Sequence, residues 1–289
     1  MLRTLLPTIA FVLLAPKIAS ASVEKIAPDL YAYISKNDSS ANATFLVGET
    51  GILVVDTGLN ATEGSKLLDE IRTISPLPVR WIVNTHYHPD HRGGNAVVGP
   101  DAVVISTTFT REQVLRDKRS HSYAVNATVG KQPLTLFVGA HEVRIYAPGP
   151  AHTRGDLVVY FPDQRAIATG DLFLTNSCPA MDDGDMENWI AALDHILALP
   201  VEHVVPGHFE VATRDEVRLF RNYLADLGDQ VRDMYKQGLS LDEVKRGVDM
   251  QKYKSLRQFP QYEATFADNA AAYFEQLQAR KHAALRQDR

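Results

Sequence analysis

A chain of 289 residues with 45% hydrophobic and 22% charged residues is long and apolar enough to bury a sizeable core, which excludes a disordered or fibrous protein. Its 30 basic and 35 acidic residues leave a formal net charge of -5, so the surface lacks the basic excess that a phosphate backbone requires, and no nucleic acid is expected as a partner. The single cysteine, Cys178, excludes an internal disulfide, and a small buried side chain is the ordinary fate of such a residue.

At the N-terminus Arg3 supplies a positive charge, residues 5–15 an apolar run, and Ala19-Ser20-Ala21 a small-residue cleavage site. Together they read as a signal peptide over 1–21, cut before Ser22. Pro7, Pro16 and Lys17 keep the apolar run well short of the roughly 20 residues a bilayer span needs. No later segment is longer and apolar, so the mature protein is expected to be exported, periplasmic or secreted, without stable membrane insertion. Strands are then expected at 44–47 and 52–55, a helix over 61–74, and a strand at 79–83, an α/β alternation. A strand at 103–106, a helix over 108–118 and strands at 134–138, 142–146, 157–161 and 166–168 follow, several in direct succession, so part of the sheet is antiparallel. A helix over 186–199 and a strand at 203–205 come next. Nearly all of 213–286 reads as amphipathic helix, broken at 238–240, where Ser240 looks like a cap, and near Pro260. The domain reading is a body over 22–212 and a helical extension over 213–289 packed on it, with a cover over the site or a dimerisation element as alternatives.

The segment from Asn84 to Asn95, directly after the strand at 79–83, places three histidines and an aspartate within six positions: His86, His88, Asp90 and His91. Each histidine alone is an ordinary surface or core residue; the pattern points to a metal, because imidazole nitrogen and carboxylate oxygen are the donors a borderline ion such as zinc prefers. His86 and His88, two apart, face one side of an extended strand end, and Pro89 ends the strand so that Asp90 and His91 turn back to the same space. Gly93 and Gly94 let the backbone approach closely. The acidic cluster of Asp182, Asp183 and Asp185 lacks the glutamate of a calcium loop and reads as a solvated loop. Asn-x-Ser/Thr triplets begin at Asn37, Asn42, Asn60 and Asn126 and count as glycosylation acceptors only in an organism that uses them.

His-x-His-x-Asp-His after a strand resembles the signature of the metallo-β-lactamase superfamily. Four further segments match the family. Val54-Val55-Asp56-Thr57-Gly58 resembles the turn whose aspartate supports the metal site from behind a ligand, and Pro148 to Asp156 resembles the segment that makes His152 a ligand beside His86 and His88. Ala168 to Phe173 resembles the carrier of a bridging carboxylate, Asp171; Pro206-Gly207-His208 places His208 on the second metal with Asp90 and His91. The resemblance spans 26–209 and implies an α/β (α+β) fold, a four-layer αββα sandwich with the metals at one edge between two sheets, here followed by a C-terminal helical extension. It implies two zinc ions per chain, with iron or manganese as alternatives, and a metal-bridging hydroxide that attacks a carbonyl ester, lactone, thioester or amide while Asp90 orients it and relays its proton.

The partner is then a small-molecule substrate. Zinc β-lactamases carry cysteine or serine where Asp171 stands, and Leu174 lacks the charge that holds a drug carboxylate, so Asp171 resembles instead the broader hydrolase branch that includes glyoxalase II and lactonases. β-Lactam hydrolysis is the second reading. A mononuclear iron dioxygenase acting on persulfides is the third, and retention of Asp90, His91 and His208 argues against it. His121, His141, His195, His203 and His282 match no ligand segment, and whether Asn176, Arg154 and Tyr123 line the pocket is left open, as is the oligomeric state.

Overall fold

The computed structural model describes residues 22–116, 124–181 and 183–287; the signal-like segment, His121, Tyr123 and Asp182 lie outside the described residues. The first sheet keeps chain order in space: β1 (Ser22–Ala27), β2 (Leu30–Ile34), β3 (Ala43–Val47), β4 (Ile52–Val55), β5 (Val79–Val83), β6 (Val103–Thr107) and β7 (Ala127–Val129). Pairing is antiparallel as far as β4 and parallel from there on. The parallel step demands a crossover, which α1 (Ala61–Ile74) supplies between β4 and β5, capped by the Asn60 side chain on the N–H groups of Thr62 and Glu63. Two one-turn helices, α2 (Pro89–Arg92) and α3 (Asn95–Val98), follow β5, and α4 (Thr108–Arg116) follows β6.

The second sheet runs from β8 (Leu134–Val138) through β9 (His141–Tyr146), β10 (Val158–Phe161) and β11 (Ala166–Gly170) to β12 (His203–Pro206). It is antiparallel except for β11 and β12, which are joined by α5 (Met186–Ala198). Side-chain alternation sets the layers. On β4, Leu53 and Val55 point into the space between the sheets, where they meet Val159 and Phe161 of β10; Ile52 and Val54 point outwards onto Leu67 and Ile71 of α1. On β10, Val158 and Tyr160 point to the other side, onto the helices α5, α6 (Arg214–Lys236) and α8 (Phe266–Gln287); α7 (Leu241–Gly247) lies between the last two in sequence. Each fully buried side chain of this kind contributes about 1.5–3 kcal/mol. The architecture is therefore the four-layer αββα sandwich expected, with the C-terminal helices closing its outer layer.

β1, β2 and β7 add to the strands expected from patterning. The expected cap at Ser240 is present as a capping box with Glu243. The tail is less helical than its pattern suggests: between α7 and α8 the chain makes two 3-10 turns, Gln251–Tyr253 and Pro260–Tyr262. Backbone groups there serve another segment: Arg257 N–H donates to Asn176 O at 2.8 Å, and Arg257 O accepts from Cys178 N–H at 2.9 Å. Cys178 itself is buried in the core, which pushes its thiol up to about 12, so it is the inert small residue expected. The last helix also reaches back. Gln276 bonds Gly184 O and Met186 N–H, and Arg280 pairs with Asp185, the cap of α5. Among the described residues no helix is long and apolar enough to cross a membrane.

Candidate metal centre

β5 delivers the first donors. Thr85 follows its end, His86 points inward with 1% exposure, and His88 sits in extended conformation as the residue before α2, whose first position is Pro89. That proline starts a single helical turn and so swings Asp90 and His91 back over His86, as the spacing predicts. The turn is pinned by backbone contact: a Cβ on Gly93 would lie 1.9 Å from Leu59 O, and one on Gly94 2.2 Å from Thr57 O. Asn84 and Asn95 hold its two ends together through reciprocal amide bonds of 2.8 and 3.1 Å. The remaining donors come from the second sheet: His152 from the β9–β10 connection, Asp171 from just after β11, and His208 from just after β12.

The donors form two groups. In the first, His86 Nε2 lies 2.9 Å from His88 Nδ1, which lies 3.3 Å from His152 Nε2, and Asp171 Oδ2 is 3.6 Å from His152 Nε2. In the second, Asp90 Oδ2 is 3.3 Å from His91 Nε2 and 3.2 Å from His208 Nε2, while Asp171 Oδ1 is 3.2 Å from His91 Nε2 and 3.7 Å from His208 Nε2. Tetrahedral coordination with bonds of about 2.0–2.1 Å requires donors about 3.3–3.4 Å apart, so these spacings suit an ion in each group. His91 Nε2 and Asp171 Oδ1 are buried without an aligned hydrogen bond, a costly state that a cation between them relieves. The set fits metal ions.

Electrostatics separates the groups. Burial lowers the pKa of His86, of His88 and of His152, the last to about 4, so these imidazoles are neutral, as ligands must be. Burial acts in the same direction on His91 and His208, but the nearby carboxylates, Asp171 foremost, override it and raise both. In return, Asp90 and Asp171, which burial alone would raise, are held below the usual carboxylate range, chiefly by His91. The second group thus gathers anionic charge that calls for a cation.

Asp56 holds His91 from behind. It ends β4 with φ 58°, a left-handed conformation that costs a non-glycine residue energy, and its carboxylate accepts from Thr85 N–H at 2.8 Å, Thr85 Oγ1 at 2.7 Å and His91 Nδ1 at 2.8 Å. His152 Nδ1 lies 3.2 Å from Ala180 O, which likewise aims its Nε2 at the centre. Two further supports escape sequence reading. Asn42 donates through its side-chain amide to Pro206 O and Phe209 O and through its backbone N–H to Gly207 O, so it grips the loop of His208. It is 3% exposed, which removes it as a glycosylation acceptor; its one local signal, the Asn-x-Thr triplet, misleads. Trp189 on α5 donates its indole N–H to Leu172 O at 2.7 Å and sets its ring edge-on to His152 at 5.5 Å, joining the His152 and Asp171 segments. No local motif marks it.

His88, Asp90 and His208 are half-buried, so the centre opens on their side. On one rim Tyr87 packs against His88, with ring centroids 4.6 Å apart, and Phe109 stands 6.0 Å beyond Tyr87. On the other rim Phe209 neighbours His208 at 6.2 Å and stacks on Phe259 at 5.8 Å. Arg154 lies over Phe109, whereas Asn176 presents its carbonyl to Arg257. Among the described residues His141, His195, His203 and His282 join neither group.

The model of the metallo-beta-lactamase superfamily matches residues 37–208, more than half of the chain and all seven donors. The chain belongs to this superfamily. Among curated superfamily relatives it is 27% identical over 215 residues to the 2,4-dinitroanisole O-demethylase subunit alpha of Nocardioides sp. (strain JS1661), covering 73% of this chain and 63% of that one. It is 25% identical over 248 residues to the linear primary-alkylsulfatase of Pseudomonas sp. (strain ATCC 19151), covering 67% and 47%. The chain thus spans about half to two thirds of the length of these relatives. Two solved structures share the fold: the stereoselective inverting sec-alkylsulfatase Pisa1 from Pseudomonas sp. (TM-score 0.74, 18% identity, 89% of this chain and 50% of that one) and a metallo-beta-lactamase from Pontibacter korlensis (TM-score 0.62, 23% identity, 71% and 99%).

Proposed function

We propose that this chain is a dinuclear metallohydrolase that cleaves a small molecule at a bond to an ester or ether oxygen. The observation that carries the reading is the division of Asp171 between the groups, one carboxylate oxygen facing each. His86, His88 and His152 would hold one ion, Asp90, His91 and His208 the other, with Asp171 between them; five imidazoles and two carboxylates favour zinc over magnesium or calcium. Two such ions supply Lewis acidity and bring the pKa of a water close to neutrality. Asp90, at the open side and held ionised, accepts and relays the proton of the attacking water. Asp56, accepting from His91 Nδ1, keeps His91 Nε2 aimed at the second group.

The relatives named for a sulfate ester and an aryl methyl ether support a substrate cut at a bond to an ester or ether oxygen rather than a β-lactam amide. The complete second group speaks against a one-iron dioxygenase. The signal-like segment over 1–21 supports export. Metal content by mass spectrometry, run beside hydrolysis of a carboxylic ester, an alkyl sulfate, an aryl methyl ether and a cephalosporin, tests the reading. Two zinc ions per chain and chelator-sensitive cleavage of one of the first three are expected. A single iron without hydrolysis would overturn it.

A further inference from the structure

From Ala151 to Phe161 every residue is buried except Arg154. The loop around it is fixed. Thr153 donates its backbone N–H and hydroxyl to Asp156, and Gly155 O accepts from the hydroxyls of Thr107 and Thr110, each at 3.1 Å. Arg154 therefore leaves a rigid loop two residues after His152, and its guanidinium carbon stands 5.4 Å from the centroid of Phe109. From there the rings of Phe109, Tyr87 and His88 lead step by step to the first donor group.

Contact with a ring face occupies the flat side of a guanidinium and leaves its N–H edge for something else. Among the described residues no carboxylate takes that edge. Across the centre Arg257 is stacked on Phe209 in the same manner, at 4.4 Å, but there a carboxylate takes its Nη2, Glu210 at 3.1 Å. Asp183, the carboxylate on the near rim, accepts the hydroxyl of Tyr87. Among the described residues the near rim thus offers an apolar, aromatic wall ending in a cation whose N–H edge no carboxylate takes.

We propose that Arg154 is a specificity-determining residue that binds an oxyanion, carboxylate or sulfonate, on the part of the substrate lying along Tyr87 and Phe109, away from the bond that is cut. The substrate class is an ester with an apolar or aromatic body and an anionic end. This inference rests on the metallohydrolase reading above. The guanidinium edge matches such an oxyanion with two parallel N–H···O bonds.

The test compares, on zinc-loaded protein, 4-nitrophenyl butyrate with 4-nitrophenyl hemiglutarate, which differ by one terminal carboxylate, using wild type, Arg154→Ala and Arg154→Lys. Arg154→Ala is expected to raise KM for the hemiglutarate about tenfold, with kcat, metal content and the butyrate KM unchanged. Arg154→Lys is expected to restore part of the loss, and the gap to narrow as salt rises. Equal effects on both esters, or none, would overturn the assignment. Calorimetric titration with 4-toluenesulfonate, an aromatic anion that ligates metals weakly, reads the same contact without turnover and represents the sulfonate arm. Weaker binding to Arg154→Ala sustains the proposal even where neither ester is cleaved, an outcome that would sink the ester-hydrolase reading alone; equal binding to both proteins sinks the proposal.

Discussion

The two donor groups share Asp171 and are otherwise built from opposite materials. The first relies on three neutral imidazoles, two from the end of β5 and one from the β9–β10 loop, braced by Trp189 and Ala180 O. The second sets two carboxylates beside two imidazoles whose pKa they raise, braced by Asp56 and Asn42. Similar spacing with different charge implies different chemistry: protons compete less with a metal in the first group than in the second.

Breaking what the groups share has the largest expected effect. Asp171→Ala is expected to lower turnover about a thousandfold and to leave the protein short of metal in both groups, measured by steady-state rates and mass spectrometry. Asp90→Asn confines the damage to the second group and to proton relay. A loss of about a hundredfold in kcat with little change in melting temperature is expected, and unchanged turnover would end its assigned role.

A pH titration sharpens the contrast without mutation. A proton competes with the metal for the same nitrogen, so an imidazole whose pKa is raised loses its metal at higher pH than one whose pKa is lowered. With His91 and His208 raised and His152 lowered to about 4, one equivalent of metal is expected to leave first as pH falls, and the other to stay until nearer pH 4. Equilibrium dialysis over falling pH reads the order, and simultaneous loss would erase the distinction.

The braces give the smaller effects. Asn42→Ala frees the His208 loop and is expected to weaken the second ion about 10- to 100-fold while sparing the first, visible in competition with a metallochromic chelator. Trp189→Phe keeps the ring beside His152 but deletes the bond to Leu172 O, a loss of about 1 kcal/mol or about 2 °C in Tm.

The donors were legible because each lies in a short local pattern and because histidine and aspartate announce their chemistry by type. His86, His88, Asp90 and His91 also carry their geometry in their spacing, through Pro89. Apolar runs of strand and helix length marked the single elements, whereas the layer order came only from the family resemblance. What escaped depends on pairs far apart in the chain. Asn42 reaches Phe209 across 167 positions, and nothing near Asn42 says so. The stretch between α7 and α8 reads as helix because its composition suits one, yet its backbone is taken up by Asn176 and Cys178. The Arg154 edge is visible only once its neighbours are seen to be buried.

The reach of α8 back to Gly184, Asp185 and Met186 has a kinetic consequence. Gln276 and Arg280 close contacts over ninety positions or more, so Gly184 and Asp185, which lead into α5, are fastened by α8. A growing chain can assemble the turn of His86 to His91 early, from neighbours alone, while the wall that aims His152 waits for the final helix to dock. Metal uptake followed during refolding would then report the docking of α8 rather than the forming of the His86 to His91 turn.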